Sequence, residues 1–164
     1  MSIKTILVPT DFSDHSRSAF EYGYAFACEL KASIHLLHVQ DESSLRTAVK
    51  AGLLRVDSTD EQVHEAVHQL IESRLSEVMA AVDCTRIKVV SAIRRGDPSV
   101  QAVAYAVEIG ADLVIAGRRG AGLLEDLRSA VLGSVTETLI RNSPCPVMVV
   151  RLDHQLISLD TAET

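Results

Sequence analysis

The stretch 111–151, ADLVIAGRRGAGLLEDLRSAVLGSVTETLIRNSPCPVMVVR, limits the fold more than any other part of the chain. It opens with Leu113-Val114-Ile115-Ala116, a short apolar run that suits a strand buried on both faces. That run empties into Gly117-Arg118-Arg119-Gly120-Ala121-Gly122. A further glycine, Gly133, precedes Ser134-Val135-Thr136-Glu137 and a helical pattern ending near Asn142. After Pro144-Cys145-Pro146 comes a second apolar run, Val147 to Val150. Strand, glycine loop, helix start and strand together suit an anion: small residues admit backbone N–H groups to a ligand, and the helix start adds about half a positive charge. A purely structural account is also open. Ser134 and Glu137 read as an S-x-x-E capping box, and Gly117 and Gly120 suit a turn. No Lys-Ser or Lys-Thr follows a glycine loop and no G-x-G-x-x-G occurs, so two stronger phosphate fingerprints are absent.

The rest of the chain repeats the strand–helix alternation. Residues 3–8 predict a first strand bounded by Pro9, and Pro9-Thr10-Asp11-Phe12-Ser13 a turn into a helix over 14–30, capped by Ser13 or Asp11. Ala19, Phe20, Gly23, Ala27 and Leu30 recur at helical spacing on its packing face. Residues 33–39 predict a second strand with His35 and His38 on opposite faces, where they cannot share a metal. Segment 45–56 is basic and apolar, a loop or short helix. A long helix follows over 60–82, opened by a Ser58–Glu61 capping box and striped by Val63, Val67, Leu70, Ile71, Leu75, Val78 and Val82. A third strand is expected over 87–93. Gly96-Asp97-Pro98 starts another helix with Asp97 as cap; Val100, Val103, Ala104 and Val107 would be its buried face, and Gly110 its stop. The order β-α-β-α-β-α-β-α-β implies one α/β domain over 1–152 with a frayed tail over 153–164. Its parallel sheet would have right-handed crossovers and helices on both faces. Ligands of such open sheets sit outside the carboxyl ends of the strands where the strand order reverses, and the two most suggestive loops follow strands one and four.

Composition narrows the classes. At 47% apolar and 4% aromatic the core is aliphatic, which favours α/β layers over a β-sandwich. A net charge of −6 argues against a nucleic-acid partner. No apolar run reaches membrane-spanning length, and the N-terminus lacks a signal peptide's apolar core, so a cytoplasmic location is expected. Cys28, Cys84 and Cys145 include no C-x-x-C pair and read as small buried hydrophobes.

His64-Glu65-Ala66-Val67-His68 is a literal H-E-x-x-H, which on a helix places two imidazoles one turn apart with Glu65 as a base. Glu72 is the only nearby third ligand. The pair reads better as residues where this helix meets the sheet or a partner, and a metal-dependent enzyme using His64 and His68 is the remote alternative.

ILVPTDFS, LLHV, GDP, ADLVIAGRRG, GSVTETLI and SPCPVMVVR together resemble the universal stress protein superfamily, from Ile3 to Arg151. The resemblance implies a Rossmann-like, adenine nucleotide alpha hydrolase-like fold: a five-stranded parallel sheet in the order 3-2-1-4-5, with the switch point between strands one and four. The family's nucleotide-binding branch carries G-x2-G-x9-G-[ST]. Here Gly117 and Gly120 supply the first half and Gly133-Ser134 the last, but the spacer 121–132 has twelve residues. Three extra residues are nearly one helical turn, which can be absorbed with both glycine ends still meeting, or can fold across the cleft. By resemblance, Pro9, Thr10, Asp11 and the Val39 backbone would hold adenosine. Gly117, Arg119 and Gly120 would line the phosphate path, with Gly133, Ser134, Val135 and Thr136 opposite.

The expected function is binding of ATP or AMP, with or without Mg2+, as a stress-response sensor or switch that is at most a slow ATPase. The alternative is a dimeric interaction module that binds no nucleotide. A homodimer through the edge strand Val147–Val150 is expected, as the family does and as an unpaired apolar edge invites. Gly117→Val or Gly133→Val is expected to abolish nucleotide binding without unfolding the protein.

Overall fold

Among the described residues, short apolar runs alternating with helical ones produce nine elements: β1 (Thr5–Thr10), α1 (Asp14–Leu30), β2 (Ser33–Gln40), α2 (Asp60–Ala80), β3 (Val89–Arg95), α3 (Pro98–Glu108), β4 (Leu113–Gly117), α4 (Ser134–Asn142) and β5 (Val147–Val150). The computed structural model describes residues 2–41, 60–118 and 132–151, with the backbone alone at 60–63. Segment 45–56, the Ser58–Glu61 cap, the Val63 side chain, Arg119, Gly120, spacer residues 121–131 and the tail from 152 lie outside the described residues. The sheet is parallel in every pairing and runs β3-β2-β1-β4-β5, as expected.

Both faces of the sheet are covered. Ile6, Val8, Ile34, Leu36, Leu113 and Ile115 pack with Ala19, Phe20 and Ala27 of α1 and Ile71, Leu75 and Val78 of α2. Leu7, Leu37, Val114 and Ala116 face the other way, against Ala102, Tyr105 and Ala106 of α3 and Leu139 of α4. Burial on both sides is why the central strands β1 and β4 carry uninterrupted apolar runs, Ile6-Leu7-Val8 and Leu113-Val114-Ile115-Ala116, that do not alternate. Each fully buried Leu or Ile contributes about 1.5–3 kcal/mol relative to exposure.

Pro9 does not end the first strand. β1 continues through it to Thr10, pairing Pro9 with Leu37 and Thr10 with His38. What Pro9 ends is one ladder. Odd residues of β1 direct their backbone toward β4, as the Asp112 N–H donating to the Thr5 carbonyl shows. Pro9 has no N–H to offer on that side. The β1–β4 register is Ile6–Leu113 and Leu7–Val114, and beyond it the two central strands part. The strand order reverses between β1 and β4, and in open sheets of this kind the carboxyl ends at that point are where a ligand crevice is expected.

Other boundaries and faces differ from the sequence reading. β3 begins at Val89 because its register is set by β2, with Ile34 opposite Val89, and Ile87 packs on the core from outside the strand. α3 buries Ala102, Tyr105 and Ala106; of the expected Val100, Val103, Ala104 and Val107, Val103 packs half-buried against the core, whereas Val100 and Val107 are 61% and 62% exposed. Both stripes are apolar, and the alanine face allows the closer approach to the sheet. Tyr105 gains a partner there, its hydroxyl lying 3.0 Å from His35 Nδ1. Leu30 and Leu70 are likewise exposed, and α2 ends at Ala80, short of Val82. Asp97 caps α3 as expected, its carboxylate accepting from the Ser99 and Val100 N–H groups. Gly110, at φ +59°, closes the helix with the Gly110 and Ala111 N–H groups donating to the Val107 and Ala106 carbonyls.

Candidate functional site

The turn after β1 is held by its own short side chains. Ser13 caps α1, its hydroxyl oxygen accepting from the Ser16 N–H at 3.3 Å. Asp11 supports that cap: its Oδ1 accepts from the Ser13 N–H at 3.1 Å and from the Ser13 hydroxyl at 2.6 Å. Thr10 is buried, with its Oγ1 3.1 Å from Ser16 Oγ and accepting from the Phe12 N–H at 3.1 Å. These bonds bring Phe12 to φ 65°, an uncommon value for a side chain of that size. The Phe12 ring lies stacked on His38, with centroids 4.5 Å apart. His38 Nδ1 is 2.9 Å from the Thr10 carbonyl, which can only accept, so Nδ1 carries the proton. Burial lowers the His38 pKa, against the Thr10 hydrogen bond and the Asp11 charge, which raise it. His35, on the other face, is lowered by burial and by Lys88. The sequence reading placed the two histidines correctly and missed the Phe12–His38 stack.

At the exit of β4 the two ends of the glycine segment meet. The Gly133 N–H donates to the Arg118 carbonyl at 2.9 Å, and the Arg118 N–H to the Val150 carbonyl at 2.9 Å. The buried Thr136 hydroxyl donates to the Gly117 carbonyl at 2.7 Å. The ends are therefore joined despite the long spacer. The expected Ser134–Glu137 capping box is not formed: Gly133 is the N-cap of α4 without a side-chain bond, and Glu137 pairs with Arg141 at 2.7 Å. Glycine's main-chain amide is already committed to Arg118, so the first-turn amides of Ser134, Val135 and Thr136 are the ones without an intrahelical acceptor.

Gly117 is required by packing. A Cβ there would sit 2.6 Å from the His15 carbonyl oxygen and 2.7 Å from its carbon, in the first turn of α1. The expectation that Gly117→Val would remove a ligand without disturbing the fold is therefore corrected, because the added side chain meets backbone that cannot rotate away. Gly133, with φ −65° and ψ 149°, adopts a conformation open to any residue.

Thr10 and Asp11 leave β1, Val39 and Gln40 end β2, and Gly117 and Arg118 leave β4; since β1 lies between β2 and β4, all reach one end of the sheet. Val39 faces the α3 side and its neighbour Gln40 is buried. The sequence reading missed Gln40, whose only signal was an amide closing an apolar strand. The H-E-x-x-H histidines do not join this group as a metal centre: His68 Nε2 is 3.4 Å from Glu72 Oε1, and among the described residues no cluster of three or more His, Cys, Asp and Glu could hold a metal ion. No helix among the described residues is long and apolar enough to cross a membrane.

The model of the Universal stress protein family matches residues 2–151. Universal stress protein MJ0577 of Methanocaldococcus jannaschii is 31% identical over 156 residues, spanning 90% of this chain and 94% of its own. Its structure superposes with a TM-score of 0.76, covering 94% of this chain and all of that one at 27% identity. UspA from Lactobacillus plantarum gives 0.66 at 26% identity, covering 92% and 99%. Two more distant structures share the fold: a universal stress protein in complex with cAMP (TM-score 0.59, 20% identity, covering 92% and 98%) and an Arabidopsis thaliana family protein with AMP bound (0.54, 18%, covering 98% and 99%).

Proposed function

The chain belongs to the universal stress protein family, and on that premise we propose that it binds an adenine nucleotide, ATP or AMP, in the crevice where β1 and β4 part. In this reading the nucleotide sets the state of a stress-response sensor or switch, with slow hydrolysis at most. The observation that carries it is the pair of bonds Gly133–Arg118 and Thr136–Gly117, at 2.9 and 2.7 Å, which fix the first turn of α4 beside the exit of β4. The amides of Ser134, Val135 and Thr136 then offer donors and a helix dipole to phosphates, with or without Mg2+. Arg119, Gly120 and Gly117 complete the phosphate path by family resemblance, and Pro9, Thr10, Asp11 and the Val39 backbone face adenosine. The cAMP and AMP complexes of the two structural neighbours support the ligand class. The edge strand Val147–Val150, half-buried at its first three residues, supplies the pairing surface for a homodimer; a monomer in sedimentation would remove that part of the proposal.

Isothermal titration of ATP and AMP into nucleotide-free protein, with and without Mg2+, tests the site. Wild type is expected to bind at about micromolar Kd. Ser134→Asp adds a carboxylate at the exposed first position of α4, which favours the helix and repels phosphate. It should keep or raise the melting temperature while weakening ATP about tenfold or more. Equal ATP affinity in both proteins would reject the phosphate site.

A further inference from the structure

Gln40 is 4% exposed, and neither Nε2 nor Oε1 of its amide has a hydrogen-bond partner. Burying an amide without partners is unfavourable, so such a group implies something that satisfies it. Its position is defined by the register. Ile34, Leu36, His38 and Gln40 alternate onto the α1–α2 face of β2, and the last β1–β2 pair is Thr10–His38. Gln40 therefore stands two residues beyond the end of β1, past the Thr10–Phe12 turn. On its other side it pairs with Arg95, and its carbonyl accepts from the Gly96 N–H at 3.1 Å. His64 is the other described residue with a buried side-chain nitrogen left unpartnered, at Nδ1. It lies near the start of α2, which packs on β2 and β3 and runs back from the strands' carboxyl ends. Two unpartnered polar side chains thus share one face and one end of the sheet.

We propose that Gln40 reads the base of the bound nucleotide, its amide pairing with a purine edge that presents a donor beside an acceptor. The assignment rests on the nucleotide reading above and makes it specific. A primary amide holds an N–H donor and a carbonyl acceptor side by side, and the 6-amino group of adenine lies beside a ring nitrogen in the complementary order. With phosphates at α4, the base extends across β1 to the ends of β2, where Gln40 adjoins the Val39 backbone. The 6-amino group is the feature recognised, so a purine lacking it loses half of the pair.

The test compares ATP with purine riboside triphosphate, which lacks the 6-amino group, by titration into the wild type, Gln40→Met and Gln40→Leu. The wild type should prefer ATP by about tenfold, and both variants should bind the two ligands alike, with ATP weakened about tenfold. Thermal midpoints of the nucleotide-free variants at or above wild type establish that the fold is kept, since the unpartnered amide is gone. A preference retained in the variants, or absent from the wild type, overturns the role of Gln40 and leaves the nucleotide site intact. A wild type that binds neither ligand overturns both.

Discussion

Replacing Gly117 by alanine tests whether the glycine after β4 is there for packing. The new Cβ would lie 2.6 Å from the His15 carbonyl oxygen, 2.7 Å from its carbon and 3.0 Å from its Cβ. Ordinary contact begins near 3.4 Å, so the first turn of α1 or the end of β4 must move by about 0.8 Å, the difference of 3.4 and 2.6. The first turn resists, because the Arg17 N–H donates to the Ser13 carbonyl at 2.9 Å and the Ser13 and Asp11 side chains hold the cap. Overpacking of this kind costs about 1–3 kcal/mol. Alanine returns about 0.4–1 kcal/mol by restricting the unfolded chain, a gain that applies because Gly117 is not in the left-handed region. The expected net loss is about 1–2 kcal/mol, or about 2–8 °C in melting temperature for a domain of this size. Calorimetry on nucleotide-free protein measures it without ligand linkage. Gly23→Ala is the comparison: its Cβ meets Val8 Cγ2 at 3.0 Å, a few tenths of an ångström inside ordinary contact and against a side chain instead of backbone, and helix propensity favours alanine. A Gly117→Ala protein as stable as Gly23→Ala or the wild type would refute the packing argument.

Thr136→Val keeps the shape of the side chain and removes the donor to the Gly117 carbonyl; it should lower stability by about 1–3 kcal/mol, read from urea unfolding, and an unchanged midpoint would count against the stitch. The histidines set a pH dependence. Folding lowers the pKa of both His35 and His38, so the unfolded chain takes up protons first as pH falls below about 6.5. Their contribution is full above that value and is lost as pH falls through the lowered folded pKa. Asp83 and Asp112 have pKa values lowered below 3.8 by hydrogen bonds from Thr85 and from the Lys4 and Thr5 N–H groups, so they act only in more acid solution. Thermal melts from pH 8 to 5 should show the midpoint falling, and a His35→Gln, His38→Gln double variant should flatten the slope.

Most elements were legible because their signals are local. The run Leu113-Val114-Ile115-Ala116, the Asp97-Pro98 helix start and the Gly110 stop each specify dihedrals or burial within a few residues, and the structure has them in place. What the sequence reading of the candidate site shares with the structure is placement: the loops after β1 and β4 lie at the same end of the parallel sheet. Which atoms are committed was not legible. Gly133 and Thr136 look like ligand donors in the sequence, yet the N–H of one and the hydroxyl of the other close the loop onto Arg118 and Gly117.

The sequence by itself determined the order of strands and helices and the class of sheet, because periodicity and end signals are properties of neighbouring residues. The tertiary structure decided which of two apolar stripes α3 buries, that Pro9 breaks one ladder and not its strand, that His15 excludes a side chain at 117, and that the Gln40 amide is enclosed without a partner. Those outcomes depend on the distance between segments far apart in the chain, and no local pattern encodes a distance.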